Sequence, residues 1–232
     1  MPLTTDQLAE YHEQGFVNVP SVFRPEEMAA MNAEFDSILA AINAGRKTDG
    51  RGPTGWIMRL GRQTEMTEQF CRDERILDYV GSVVQPGIAI YSAKLVTKDP
   101  QDPTECLWHQ DDAYYRQNSE SSCRMSIWVP LQDTRVEHGC LQVIPGSHKR
   151  GLSPASPKPH GTCSLSIDDP IDEENKIYVP MKAGDMLLFS ALLWHHSVGN
   201  TTDQRRRAFI VSYQEATATG GNADQWQILR TA

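Results

Sequence analysis

A chain of 232 residues with 39% hydrophobic and 22% charged side chains has the composition of a globular protein that buries roughly 70% of its unfolded surface, which excludes disorder as its main state. Its 22 basic residues against 30 acidic ones leave a net charge of −8, and the one dense basic run is Arg205-Arg206-Arg207, so no nucleic-acid partner is expected. The longest apolar run, 186–194, falls far short of the roughly 20 residues a bilayer requires, and no membrane partner is expected either. The first residues carry neither a basic n-region nor an apolar h-region, which points to a cytoplasmic protein. Its five cysteines, Cys71, Cys106, Cys123, Cys140 and Cys163, are odd in number and lack a C-x-x-C pair, so they read as reduced thiols with none assigned as a metal ligand.

Taken in chain order, Thr4 and Gln7 make a capping box ahead of Leu8 and Tyr11, predicting an opening helix. A strand is expected over 15–19. Pro25 starts a longer helix whose Met28, Met31, Phe35, Ile38, Leu39 and Ile42 fall on one face, with Gly45 as its stop. The glycine-rich stretch 45–55 reads as a flexible loop, and a third helix is predicted over 73–84. Beyond Pro86 the texture changes to short β-type runs at 88–97, 124–129, 140–144, 177–179, 185–189 and 206–213. Helices followed by strands with no helices between them predict an α+β, mainly β protein, built as an antiparallel sandwich or jelly roll. The long polar connection 145–176 and the loop 45–55 are candidate lids. The acidic stretch 168–174 lacks the glycine and ligand spacing of a calcium loop and reads as solvated surface.

Chemistry concentrates at His109-Gln110-Asp111. On a strand, residues i and i+2 share a face, so an imidazole and a carboxylate would converge there. Seven histidines and a carboxylate frequency of 30 in 232 predict about one such pair by chance, so the surroundings must discriminate. Trp194-His195-His196-Ser197 offers a third ligand. Two histidines and a carboxylate bound facially suit Fe(II) and leave positions open for an oxo acid and O₂. Arg206, eleven residues after His195, has the planar fork that grips a carboxylate. Arg205 and Arg207 lie on the opposite strand face, and the flanking Ala208, Phe209, Ile210 and Val211 leave open which face is inside. No nucleophile elbow, His-Glu-x-x-His or dinucleotide fingerprint is present.

With these residues in view, the chain resembles the phytanoyl-CoA dioxygenase family of Fe(II)/2-oxoglutarate oxygenases. The resemblance runs from the segment Leu8-Ala-Glu-Tyr-His-Glu-Gln-Gly-Phe-Val-Asn-Val through Trp108-His-Gln-Asp, Gly139-Cys-Leu-Gln-Val-Ile-Pro-Gly-Ser-His-Lys and Gly184-Asp-Met-Leu-Leu-Phe to His195-His-Ser-Val-Gly-Asn and Arg206. It implies a double-stranded β-helix (a cupin-like jelly roll) with N-terminal helices packed on one sheet: one domain over 1–232, helix-rich to about residue 85, with its jelly-roll core over about 86–215. It implies iron ligands at His109, Asp111 and His195. Arg206 would bind the distal carboxylate of 2-oxoglutarate, with Ser197 beside it and Trp128, Lys94 and Arg59 near the cosubstrate. His196 stands where many members have glycine, and Asn200 and Arg206 set the register in favour of His195. Related halogenases lack the carboxylate that Asp111 retains, which favours oxygenation. The reaction implied is oxidation, by default hydroxylation, of a small molecule at the expense of 2-oxoglutarate and O₂, releasing succinate and CO₂. Tyr114, Tyr115 and Arg116 are candidate substrate contacts. The competing readings are a non-catalytic metal-binding jelly roll and a cupin-like protein that uses no oxo acid.

Overall fold

A computed structural model describes residues 1–46, 56–117, 119–158, 163–218 and 228–231. Helix α1 (Thr5–Gln14) opens on the expected capping box, with the Thr4 hydroxyl accepting from the Gln7 amide, and closes at Gly15. Strand β1 (Phe16–Val19) follows, then α2 (Pro25–Asn43), whose Met28, Met31, Phe35, Ile38 and Ile42 are buried. The predicted loop 45–55 falls, beyond Arg46, outside the described residues. The helix predicted over 73–84 is present as the shorter α4 (Glu74–Val80), and a helix the sequence reading did not predict, α3 (Glu65–Cys71), precedes it. The chain breaks at Arg72 because Asp73 caps a new helix, its carboxylate accepting from the Arg75 amide.

The strands are β2 (Ile57–Met58), β3 (Ile88–Lys98), β4 (Cys106–His109), β5 (Met125–Pro130), β6 (Leu141–Val143), β7 (Ala155–Pro157), β8 (Leu165–Ile167), β9 (Ile177–Val179), β10 (Met186–Ser190), β11 (His195–Ser197), β12 (Arg206–Gln214) and β13 (Ile228–Arg230), with a short helix α5 (Asp112–Tyr115) after β4. Among the described residues they form an antiparallel sheet in the order β1-β10-β5-β12-β3-β13, joined by β2 on β3, and a second in the order β4-β11-β6-β9. Beyond the predicted core, β13 pairs with β3, Ile228 opposite Ala89. The connection 145–176, expected to be irregular, carries the β7-β8 hairpin. No helix among the described residues is long and apolar enough to cross a membrane.

Strand alternation sorts the large sheet into two faces. Ile127, Val129, Met186, Leu188, Phe209 and Val211 pack under the helices with Phe35 and Ile38 of α2. Trp128, Leu187, Phe189 and Ala208 turn the other way, onto Leu141, Val143 and Val179 of the small sheet. This settles the face of Arg206. It shares the Ala208 side, between the sheets, whereas Arg207 points to α2, bonding Asp36 at 2.5 Å and the Asn32 carbonyl at 3.3 Å.

The turn before β10 depends on Gly184, which holds φ +83° and whose added Cβ would stand 2.2 Å from the Phe23 carbonyl oxygen. That oxygen belongs to backbone already tied by the bond from the Phe23 amide to the Gly184 carbonyl at 3.0 Å. Gly184→Ala is expected to cost at least about 1–3 kcal/mol, the range for a side chain forced into a left-handed conformation. Thermal denaturation measures it, and an unchanged midpoint would refute the strain.

Candidate metal centre and cosubstrate cavity

His109 ends β4 and His195 begins β11, and the two are direct partners across the small sheet, with ring centroids 4.0 Å apart. Asp111 is not on the strand. It lies beyond the end of β4 with φ −58° and ψ −37°, leading into α5, so the alternation that predicted its convergence does not apply. The backbone turn delivers the carboxylate instead, with Oδ1 3.9 Å from His195 Nε2. One donor atom from each of the three lies within 4.8 Å of the others. His196 is elsewhere: its Nε2 is 3.0 Å from a Glu105 carboxylate oxygen and its ring stacks on Trp108.

Backbone carbonyls fix both imidazoles. His109 Nδ1 is 2.7 Å from the Leu107 oxygen and His195 Nδ1 is 2.9 Å from the Leu193 oxygen, geometry that assigns the proton to Nδ1 and the lone pair to Nε2. Burial, joined by the nearby His195, pushes His109 down to about 3, and burial lowers His195 as well. For Asp111, burial opposes the charge, but Lys94 and the two imidazoles more than offset it and hold the carboxyl below its ordinary range. At neutral pH all three are thus ready-made ligands, with no proton to displace before a cation binds.

Behind Asp111 runs a buried hydroxyl chain that sequence reading missed. Ser126 donates to Asp111 Oδ2 at 2.6 Å and lies 2.8 Å from the Ser212 hydroxyl, which lies 3.1 Å from the Tyr115 hydroxyl. Lys94 Nζ donates to that phenol at 3.4 Å. Tyr115, expected as a substrate contact, lines the cavity and also belongs to this chain. Its neighbour Tyr114 lines the cavity too and receives the Leu165 amide at 2.9 Å, docking the β7-β8 hairpin.

The three residues open into a cavity of about 290 Å³ that Lys94, Trp128, Ser197 and Arg206 also line. Two expected members are not there: Arg59 and Arg116 are both exposed and lie outside the cavity lining. Arg59 sits at φ +54° on the turn after β2, and Arg116 follows α5 on the surface. Arg206 is 2% exposed, donates from Nη2 to the Gly139 carbonyl at 3.0 Å, and leaves its buried Nε without a partner. No carboxylate among the described residues ion-pairs with it, a costly state for a buried cation unless an anion enters. Its register partner across β3 is Lys98, also lining the cavity and absent from the sequence reading because its position depends on strand pairing.

The cysteines depart from expectation. Cys106, on β4, is disulfide-bonded to Cys163, while Cys71, Cys123 and Cys140 are free. Fifty-seven residues separate the pair, and only the docking of β8 on β4 brings them together.

Two antiparallel sheets enclosing two histidines and a carboxylate, with a buried arginine in the same cavity, define the class of non-haem iron oxygenases that consume 2-oxoglutarate. The chain belongs to the phytanoyl-CoA dioxygenase family, whose model matches residues 11–208. It is 22% identical to a phytanoyl-CoA dioxygenase of Arabidopsis thaliana over 97% of this chain and 93% of that one. It is 24% identical to the ectoine dioxygenase of Streptomyces avermitilis over 90% of this chain and 78% of that one. Among solved structures it shares the fold of the non-heme alpha-ketoglutarate-dependent carbocyclase SnoK from nogalamycin biosynthesis, with a TM-score of 0.76, 24% identity, and coverage of 96% and 88% of the two chains. The chain is an Fe(II)/2-oxoglutarate-dependent dioxygenase, an oxidoreductase with Fe(II), 2-oxoglutarate and O₂ as cofactor and cosubstrates.

Proposed function

We propose that this enzyme hydroxylates a small organic substrate, holding iron through His109, Asp111 and His195 and 2-oxoglutarate through Arg206. The carrying observation is the convergence of two imidazoles and a carboxylate on one cavity that also contains a buried arginine lacking an anionic partner. Two nitrogens and one carboxylate oxygen on one face suit Fe(II) and leave room for a chelating oxo acid. With both bound, O₂ converts 2-oxoglutarate to succinate and CO₂ while its second oxygen atom goes to the substrate.

The protein's own work is positioning and exclusion. The Leu107 and Leu193 carbonyls hold the two imidazoles in one tautomer. Ser126 holds one carboxylate oxygen of Asp111 and leaves the other free. Arg206 grips the distal carboxylate with Ser197 beside it, and Trp128, whose ring lies 5.6 Å from the guanidinium carbon, walls that end of the cavity. Lys94 donates to Tyr115, and Tyr114, Trp56 and Met58 are further lining residues that a substrate could touch. We read the two facing sheets as a double-stranded β-helix and residues 1–232 as one catalytic domain of a cytoplasmic enzyme. A cupin that uses no oxo acid would have no use for a buried Arg206 without an anionic partner, so that reading is not favoured.

Anaerobic addition of Fe(II) and 2-oxoglutarate should produce a visible metal-to-ligand charge-transfer band, and admission of O₂ should yield succinate. A screen by mass spectrometry for gain of one oxygen then identifies the substrate. Absence of the band would refute the assignment, and loss of two hydrogens in place of oxygen gain would replace hydroxylation with desaturation.

Ser126→Ala leaves Asp111 Oδ2 without its donor. Fe(II) affinity is expected to fall about 10–100-fold, the usual cost of removing a group that orients a ligand. Anaerobic Fe(II) titration reads this directly, and an unchanged dissociation constant would show that Asp111 needs no such support.

A further inference from the structure

The cavity contains a cation that neither the metal ligands nor the oxo acid use. Among the described residues that line it, the lysines and arginines are Lys94, Lys98 and Arg206, and Asp111 is the one carboxylate. With both partners bound, the charges of Fe(II) and the 2-oxoglutarate dianion cancel, and Asp111 offsets that of Arg206. The charge of Lys94 then has no counter-ion, whatever the state of Lys98. Asp111 attracts Lys94 through space, but one of its oxygens is taken by Ser126 at 2.6 Å and the other is reserved for the metal. An ammonium has three N–H donors. Among the described residues Lys94 uses one of them, on the Tyr115 hydroxyl at 3.4 Å, an oxygen that the Ser212 hydroxyl also reaches at 3.1 Å. A half-buried charge so poorly paired is costly until an anion joins it.

Strand register fixes where that anion would lie. On β3, Lys94 and Lys98 are four residues apart on one face, roughly 13 Å along the strand, and Arg206 stands opposite Lys98. The grip on the distal carboxylate is thus at one end of the cavity, and Lys94 is rooted at the other. Both ends of 2-oxoglutarate are already provided for, one by Arg206 and one by chelation to iron. The sheet around Lys94 is apolar. Met58 of β2 and Ile210 of β12 are its partners on either side, and Trp128 of β5 pairs with Ile210. Met58, Ile210 and Trp56 are half-buried and line the cavity, so they offer apolar surface beside the ammonium.

We propose that the substrate is a carboxylic acid with an apolar body, whose carboxylate pairs with Lys94 while the body lies on Met58, Ile210 and Trp56. This rests on the reading of the centre as an iron and 2-oxoglutarate site. One ammonium, with no arginine at its end of the cavity, suits a singly charged carboxylate better than a phosphate, which calls for several donors. A cationic or zwitterionic substrate is selected against, because an incoming ammonium finds no lining carboxylate beyond Asp111 and is repelled by Lys94. Lys94 is in this sense a specificity-determining residue, distinct from Arg206, which serves the cosubstrate.

The test uses the full chain loaded anaerobically with Fe(II) and 2-oxoglutarate, the charge-transfer band reporting that both are bound. Calorimetric titration then compares two series: 3-phenylpropanoate with its primary amide and with phenylalanine, and hexanoate with its primary amide and with norleucine. In at least one series wild type should bind the acid about tenfold or more tighter than both counterparts, the effect of a hydrogen bond to a charged group. In Lys94→Met the acid and its amide should bind alike. Three results would each overturn the proposal: no series in which wild type favours the acid, a preference that survives in Lys94→Met, or a loss of 2-oxoglutarate affinity in that variant as large as its loss of acid affinity. The last would give Lys94 to the cosubstrate. The wild-type comparison needs no variant and stands even if Lys94→Met does not fold. If the band never forms, the iron reading fails by itself. The titrations are then run on the metal-free chain carrying Arg206→Met, which removes the other carboxylate grip, and the acid preference must still appear there and still depend on Lys94.

Discussion

Asp111→Ala is expected to abolish both the iron–2-oxoglutarate absorption and succinate production. Asp111, 3% exposed, supplies the sole carboxylate of the candidate ligand set. Without it, two neutral imidazoles would have to hold a divalent cation in a cavity whose other charged groups, Lys94, Lys98 and Arg206, are basic. Repulsion then adds to the lost bond. Affinity for Fe(II) should fall by more than the roughly 10–100-fold that accompanies loss of a merely orienting group. The fold should survive, because Ser126, which loses its bond to the carboxylate, keeps the Ser212 hydroxyl 2.8 Å away, and the turn in which the Tyr114 amide donates to the Asp111 carbonyl at 3.0 Å uses backbone alone. Anaerobic Fe(II) titration with circular dichroism as a control distinguishes the two. Wild-type succinate yield from Asp111→Ala would remove this residue from the ligand set.

The contrast between Asp111 and Ser126 shows what the sequence could and could not carry. His109, Asp111, His195 and Arg206 stand in short motifs whose residue types and order are visible in one dimension, and the structure brings all four to one cavity. The reason given for Asp111 was nevertheless wrong, since a turn rather than strand alternation presents it. Helix α2 was legible from periodicity because it buries one face, and strands β3, β5, β9 and β12 were legible as short runs of β-type residues, β5 being buried at every position. Ser126, Lys98 and the Cys106–Cys163 bond were not, because each acquires its role through pairing across 15 to 108 residues of chain: Ser126 to Asp111, Lys98 to Arg206, Cys106 to Cys163. Arg59 and Arg116 failed in the opposite direction. Arg59 was expected from the family resemblance and Arg116 from its place just beyond Asp111, yet the turn that follows β2 and the end of α5 leave them exposed. Proximity in sequence fixes a residue's neighbourhood but not the direction of its side chain.

Arg206 and Lys98 together carry the second large effect. Arg206→Met should raise the dissociation constant for 2-oxoglutarate by about 30-fold to several thousand-fold, corresponding to the 2–5 kcal/mol typical of truncating one side of a buried charged contact. Burial lowers the Arg206 guanidinium to about 10, so it stays charged at neutral pH and its contribution should be independent of pH there. Lys98 behaves differently. Burial, assisted by Arg206, pushes it down to about 7 against the opposing pull of Asp102 and Glu105, while its ammonium donates to the Thr104 and Ser197 carbonyls. In the unliganded protein Lys98 is thus protonated below about pH 7 and neutral above it. A dicarboxylate bound beside it favours the charged form, so binding must take up a proton above that pH. Affinity for 2-oxoglutarate is expected to be greatest below pH 7 and to fall with rising pH by up to about tenfold per unit. Stability of the unliganded protein should move oppositely, because between about 7 and the ordinary lysine value of 10.5 the unfolded chain binds more protons than the folded one, and stability rises with pH across that window. Calorimetry of 2-oxoglutarate binding in buffers of different ionisation enthalpy counts the proton. Lys98→Met should flatten the pH dependence while Arg206→Met lowers affinity at every pH, and a wild-type affinity that does not vary between about pH 6.5 and 9 would leave Lys98 outside the cosubstrate site.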